Sequence, residues 1–384
     1  MAQIQLYDPS TIDQINWDNF SDGPLAKSYL LPLIKEGPES FIQNAKTQMF
    51  VLTIGNHIIP ISVNDAEYKN CYLLSSYFVV ENLKEKLENT SSLIKWLSIP
   101  LVSLLGGFLK LLKINKVVII NNWLFTTNLY PELSQEEINS MLSFLKKRFP
   151  DHYFMFRSVN TYKSAATYDA LNLERFRMIP CRQIYLYDPS RSSMLAPRML
   201  RKQKKDANRL ANKKYEVEEV DSLSDEEMVH LLELYQKIYV GKYTRFSPIY
   251  TKKFLQHVLK NKIYLLKILK KEGRIYGVTG FLQKNNYIFV PFFGYDTSIP
   301  QEEGLYRMLS SVILSEIERV NLVSHQGSGG GQFKKWRGFV EHPEYVAIYD
   351  RHLNVLRRSF WFCAHVAQKL SKKSRDINSP SNSS

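Results

Sequence analysis

Residues 263–305 read IYLLKILKKEGRIYGVTGFLQKNNYIFVPFFGYDTSIPQEEGL, and the fold class turns on them. Three apolar runs, Ile263–Leu269, Ile275–Gln283 and Tyr287–Gly294, are separated by Glu272-Gly273 and Asn285-Asn286. Glycine and asparagine accept the backbone that tight turns require, so the runs are expected to be three successive strands. Pro291 inside the third run cannot complete a ladder. Past Gly304, residues Leu305, Met308, Leu309, Val312, Ile313 and Ile317 share one face of a helix over 305–320.

Outward from this stretch the pattern continues on both sides. Upstream, Tyr215–Val220 reads as a strand. Ser224 and Glu227 form a capping box that opens a helix to about Val240. Ser247-Pro248 is expected to start a helix running to about Leu259. Downstream come a strand at Leu322–His325, a short helix at Gln332–Trp336 and a strand at Tyr345–Tyr349. The order is β-α-α-β-β-β-α-β-α-β.

The first half reads as α/β or α+β. Residues up to about Asn44 look irregular, with one short helix. Met49–Ile54 and Ile58–Val63 flank the hairpin signal Gly55-Asn56. Tyr72–Val80, Val117–Ile120, Tyr153–Phe156 and Gln183–Tyr187 are expected strands, and Ser134 and Glu137 cap a helix Glu136–Arg148. Leu93–Leu112 stands apart: its uncharged core Trp96–Leu109 lies between lysines 95 and 110, and Pro100 and Gly106-Gly107 are expected to break it. It reads either as a buried helix pair or as an interfacial segment that dips into a bilayer or lines an acyl groove.

A polar helix, Leu195–Lys213, carries Arg198, Arg201, Lys202, Lys205 and Arg209 toward one side. Such a helix bridges two domains or binds phosphates. The expected division is 1–190 for an N-terminal α/β domain, 191–213 for the basic link, 214–352 for a second domain, and 353–384 for an amphipathic helix and a disordered tail. In that last part Phe360-Trp361-Phe362 lies among Arg357, Arg358, Lys369, Lys372 and Lys373, a mixture that suits a membrane interface or docking on the core.

With 384 residues, two domains are the default. Net charge of +14 points to anionic partners: nucleic acid, a membrane surface, an acidic carrier or a phosphorylated cofactor. Cys71, Cys181 and Cys363 are widely spaced, so neither a disulfide framework nor a metal site is expected, and a reducing cytoplasm fits. No secretion signal is read at the N-terminus.

The second half resembles the GNAT acyltransferase superfamily, and within it the branch of Fem-type and related bacterial acyltransferases. The basic helix Arg198–Arg209 before the first strand carries part of the resemblance. The run Gln301-Glu302-Glu303-Gly304-Leu305-Tyr306 resembles the GNAT pyrophosphate loop, with Tyr306 where that loop has a small residue. Gly327-Ser328-Gly329, Phe333-Lys334 and Arg337-Gly338 are similar to the glycine-rich turn of the branch. The resemblance spans about 140–150 residues. It implies a mixed sheet flanked by helices, and a tandem arrangement in which the first half is a diverged copy that shapes the cleft.

The implied reaction moves an acyl group from acyl-CoA or an acyl carrier protein to an amine on a small molecule or lipid. Two alternatives stand beside it: an aminoacyl-tRNA-dependent Fem-type transfer, and a non-catalytic protein on an anionic membrane surface. Amides after Gly304 (Leu305 and Tyr306), with Gln301, would hold the donor's phosphates at a helix N-terminus. Amides at Phe293 and Gly294, on a strand the resemblance expects to splay, would polarise the thioester carbonyl. His325, Asp296 and Glu303 are the candidate bases. Lys334 and Arg337 would meet a phosphate, a carboxylate or a carrier. No metal is expected.

Overall fold

The computed structural model describes residues 4–88, 90, 92–128, 130–162 and 164–377. The chain begins with β1 (Ile4–Tyr7), α1 (Gly23–Glu36), β2 (Gln48–Ile54) and β3 (His57–Asp65). Next come α2 (Phe78–Glu88), α3 (Ser92–Leu111), β4 (Lys116–Ile120), α4 (Gln135–Arg148), β5 (Tyr153–Val159), α5 (Ala165–Leu173) and β6 (Arg177–Tyr187). A link helix, α6 (Pro197–Asn212), leads to β7 (Glu216–Val220), α7 (Asp225–Ile238), α8 (Lys252–Lys260), β8 (Leu265–Lys271), β9 (Arg274–Lys284) and β10 (Tyr287–Tyr295). The chain closes with α9 (Leu305–Val320), β11 (Val323–Gln326), α10 (Gly331–Lys335), β12 (Val340–Tyr349) and α11 (Val355–Ile377).

All these strands join one mixed sheet in the order β1-β2-β3-β4-β5-β12-β6-β11-β10-β9-β8-β7. The order is a palindrome of two equivalent units. In each, four antiparallel strands are followed by one parallel pairing, β4 with β5 and β10 with β11. Each unit then lends its last strand to the other: β6 pairs with β11, and β12 pairs with β5. The lent strands meet at the centre of the sheet, from Val340 opposite Leu186 to Ile348 opposite Arg177. The fold is therefore the mixed, helix-flanked sheet expected for the second half, and the first half repeats it.

The repeat makes two additions visible. Between β9 and β10 the chain turns through Asn285 and Asn286, both with positive φ. At the equivalent place between β3 and β4 it inserts α2 and α3. The other addition is α11, after the last strand. Both lie outside the repeated plan, and both pack into one buried cluster on the sheet: Val102 and Leu109 of α3, and Leu112 just after it, join Tyr77, Val80, Tyr153, Ile348 and Trp361.

One core is common to both units. Tyr29 and Phe125 from the first pack with Tyr264 and Phe289 from the second, with Phe125 and Phe289 ring centres 5.7 Å apart. Lys284 of β9 is buried in an ion pair with Asp22 and lies over the Trp123 ring.

Four local expectations are corrected. Residues 72–80 are not a strand: buried Asn115 binds the Tyr77 amide, the Ser75 hydroxyl and the Glu67 carbonyl, and a turn leads straight into α2. Pro100 and Gly106-Gly107 do not break α3, which is continuous. A proline inside a helix removes one hydrogen bond, and Gly106 leaves the space that the Tyr77 hydroxyl occupies, 2.6 Å from where a Cβ would sit. Ser247 does not cap a helix; its hydroxyl donates to the Tyr239 carbonyl, and Thr251 caps α8 instead. The opening 44 residues hold more order than expected, since α1 runs for 14 residues. Of the tail expected to be disordered, residues 378–384 lie outside the described ones, as do the side chains of Lys369, Lys372 and Lys373.

Candidate functional site

β10 and β11 run side by side for three residue pairs, ending at Phe289 opposite His325. There they part. The pairing of β10 with β9 shifts between Phe289 and Phe292, across Val290-Pro291, as a proline that cannot donate requires. Beyond the shift, β10 stays paired to β9 on one side, while among the described residues no strand lies against its other edge. Alternate amides of a strand point to opposite edges, so some of those over 292–295 face the gap.

The start of α9 adjoins that free edge. Phe293 and Tyr306 ring centres are 5.9 Å apart. Gly304 is left-handed, with φ 81° and ψ 32°, a conformation that costs a side-chain-bearing residue about 1–2 kcal/mol. It turns the chain into α9. The first amides of a helix have no intrahelical acceptor, and those of Leu305 and Tyr306 find no other among the described residues. Arg209 of α6 lies against the turn and donates to the Glu302 carbonyl at 2.6 Å. A guanidinium and a helix N-terminus thus meet at Gly304, an arrangement that favours an anion. Gln301 stands exposed at the same turn.

Tyr306 sets the shape of the opening. Its ring packs on Phe333 at 4.7 Å and near Tyr295 at 6.2 Å, so aromatic side chains fill much of the space between β10 and the glycine-rich turn. Each of three glycines there faces a tyrosine hydroxyl. A Cβ on Gly329 would lie 3.0 Å from that of Tyr243, and one on Gly330 would lie 2.6 Å from that of Tyr306; Gly331 faces Tyr185. Tyr243 comes from a wide π-turn, Tyr239–Tyr243, that ends α7. Burial, with Tyr243 and Tyr295 nearby, pushes the Tyr306 hydroxyl up to about 12. It therefore keeps its proton at neutral pH.

The three candidate bases lie apart. His325 is fully enclosed where the strands part, and its Nε2 faces Glu344 Oε1 at 3.7 Å. Burial outweighs the pull of Glu344 and brings the imidazole down to about 4, so it is neutral at pH 7. Among the described residues neither ring nitrogen nor Glu344 Oε1 has a hydrogen-bond partner, while the other Glu344 oxygen accepts from Arg182. Asp296 has a different task. Burial alone would raise its carboxyl, but Ser298 and Lys237 hold it down at about 2, and Arg274 pairs with it at 3.1 Å. It anchors the end of β10 as an ion pair. Glu303 binds Lys213 at 2.8 Å, which lowers its carboxyl and ties α6 to the loop.

Lys334 and Arg337 turn inward rather than toward a phosphate. The Lys334 amine donates to the Gly327 carbonyl at 2.7 Å, and burial, with Arg182 nearby, lowers it to about 7. Arg337 forms a buried ion pair with Asp206 of α6 at 2.5 Å and lies over the Phe333 ring. Gly294 serves packing as well as the edge. The α7 backbone at Leu234 and Tyr235 passes 2.6 Å from where its Cβ would be. Sequence reasoning missed Tyr243, Glu344 and Arg182. Strand exchange brings Glu344 to His325, and no local signal could have announced it.

The sequence matches no family model and no curated protein. Solved structures of similar fold include a tandem GNAT protein from the clavulanic acid biosynthesis pathway, at 8% identity and TM-score 0.46 over 91% of this chain and 98% of that one. Another is the C-terminal domain of a lysylphosphatidylglycerol synthetase from Agrobacterium fabrum, described as putative, at 12% identity and TM-score 0.44 over 56% and 72%. A third is L-PGS from Bacillus licheniformis, at 14% identity and TM-score 0.44 over 61% and 78%.

Proposed function

We propose that the chain is an acyltransferase of the GNAT fold, carrying an acyl group from a thioester to an amine on a small molecule or lipid. One observation carries the reading: β10 leaves β11 after Phe289, beside a helix N-terminus whose first amides have no acceptor among the described residues. Amides of Leu305 and Tyr306, with Arg209, bind the phosphates of acyl-CoA or of a carrier protein's prosthetic arm. Edge amides near Phe293 and Gly294 polarise the carbonyl. The amine nitrogen attacks the carbonyl carbon, the carbon–sulfur bond breaks, and the thiolate takes a proton from Tyr306 or Tyr243. His325 is enclosed behind the opening, so the proton the amine gives up passes to solvent in the cleft.

Purified protein incubated with acyl-CoA and acyl-carrier donors of short to long chain, and a mixture of amines, is expected to release free thiol. Replacing Gly304 by valine abolishes the release if the turn holds the donor. No release with any donor overturns the proposal in favour of a binding protein, a reading that the aromatic filling around Tyr306 favours.

A second donor has its own observation. Arg198, Arg201, Lys202, Lys204 and Lys205 are exposed on α6, without an acidic partner among the described residues. That face suits the phosphates of an aminoacyl-tRNA. Transfer supported by aminoacyl-tRNA and not by thioesters, with binding that falls steeply as salt rises, would select it.

A further inference from the structure

We propose that α3, with α11 beside it, docks the protein on an anionic lipid surface. The two additions to the repeated plan, the α2–α3 hairpin and α11, bury their inner sides in one cluster with Val117, Tyr153 and Ile348 of the sheet and leave an apolar face outward. On α3, Trp96, Leu97, Leu101, Leu104, Phe108 and Leu111 point to solvent, with Leu111 80%, Trp96 75% and Leu104 73% exposed. At 100° per residue they, with Pro100 and Gly107, spread over about half the helix circumference and include no charge. Water is the wrong solvent for such a face, and a patch of this kind marks an interaction site.

The breadth of the face and the charges around it choose the occupant. A partner helix would need only a narrow seam of alternating positions, whereas a bilayer surface wets the whole half-cylinder. α3 contains no acidic residue; Lys95 and Lys113 stand exposed near its ends, and Lys110 lies at the side of the apolar face. Lysines at that level pair with lipid phosphates while their stems lie along the apolar boundary. Exposed Val355 and Leu356 extend the apolar surface at the start of α11, where Arg357 donates to the Leu112 and Lys113 carbonyls just past α3.

By length and composition Ile94–Leu111 could also cross a membrane. Its packing argues for lying in the surface instead, because Val102 and Leu109 are fixed along one side in the cluster with Tyr77, Val80 and Tyr153. The hairpin is also tied to the candidate cleft. Glu85 of α2 accepts from the Thr244 hydroxyl at 2.8 Å and from the Arg245 amide at 3.2 Å, in the turn that follows Tyr243. Where the acyl-transfer reading holds, docking presents that turn to an amine borne by the lipid surface; the docking itself does not depend on it.

The test is co-sedimentation of the full chain with vesicles of phosphatidylcholine containing about 30% phosphatidylglycerol, against pure phosphatidylcholine. The protein is expected to pellet with the anionic vesicles and far less with the neutral ones. The variant Leu101→Asp/Leu104→Asp, both positions solvent-facing, is expected to keep its unfolding midpoint and lose binding at least about tenfold. Wild type that stays in the supernatant overturns the proposal, as does a variant that binds equally well. Self-association without vesicle binding, abolished by the same variant, overturns it in favour of a second copy. Thiol release measured with soluble amines and no vesicles reads the transferase activity separately.

Discussion

The Tyr306 hydroxyl rests against Gly330, so close that a Cβ there would lie 2.6 Å from the oxygen, and Gly330 itself has φ 67°. Alanine at this position meets both the strained backbone and the phenol. Gly330→Ala is expected to cost about 1–3 kcal/mol in urea unfolding. Tyr306→Phe removes only the oxygen; stability should hold, and thiol release should fall by roughly tenfold to a hundredfold if that hydroxyl protonates the leaving group.

Asp206 and Arg337 pair out of water, and the pair joins the link helix to the glycine-rich segment. Asp206→Ala leaves an enclosed guanidinium whose remaining acceptor among the described residues is the Phe333 carbonyl. A loss of about 3–5 kcal/mol in chemical denaturation is expected. The double change Asp206→Leu/Arg337→Met should recover most of it, because no charge is then left behind.

His325 makes stability depend on pH. Its folded value of about 4 lies below the ordinary 6.5, so the unfolded chain binds the proton more readily. The stability that follows is complete above pH 6.5 and drains away as pH falls toward 4, by up to about 3 kcal/mol. Urea midpoints at pH 7.5 and pH 5 should differ in the wild type. His325→Gln should narrow the difference without removing it, since His152 is lowered to about 4 as well.

Among the described residues Lys334 is buried without an acidic partner, and its amine is lowered from 10.5 to about 7. Enclosing it costs stability at every pH below 10.5, increasingly so down to 7. Lys334→Met keeps the stem and drops the ammonium. The variant is expected to unfold at higher urea than wild type at pH 7, and by a smaller margin at pH 9.5.

The second unit was the more legible half because its turns are short and its caps explicit: Ser224 with Glu227, Asn285-Asn286, and Gly304 before a clean helical face. Gly304 and Phe293 could be placed together because a parallel strand pair and its crossover helix fix where they meet. The first unit hid its plan. Buried asparagines 64, 70 and 115 bind backbone over 46–77 and stand in for a ladder, so residues 72–80 carried a strand's composition without forming one. The site around His325 depends on Arg182 and Glu344, which stand 162 residues apart and meet only through the pairing of β6 with β12. The charges of Lys334 and Arg337 looked available in sequence because their burial depends on α6 and on the turn at Gly327.

The crossing of β6 and β12 also governs how the polypeptide is made. β5 and β6 are not neighbours: β12, made after the other eleven strands of this sheet, fills the slot between them. Until about residue 349 has emerged, the earlier half has an open seam down its middle and nothing to close it. Synthesis must therefore pass the end of β12 before either half can settle, and a chain cut within that strand would leave both halves incomplete at once.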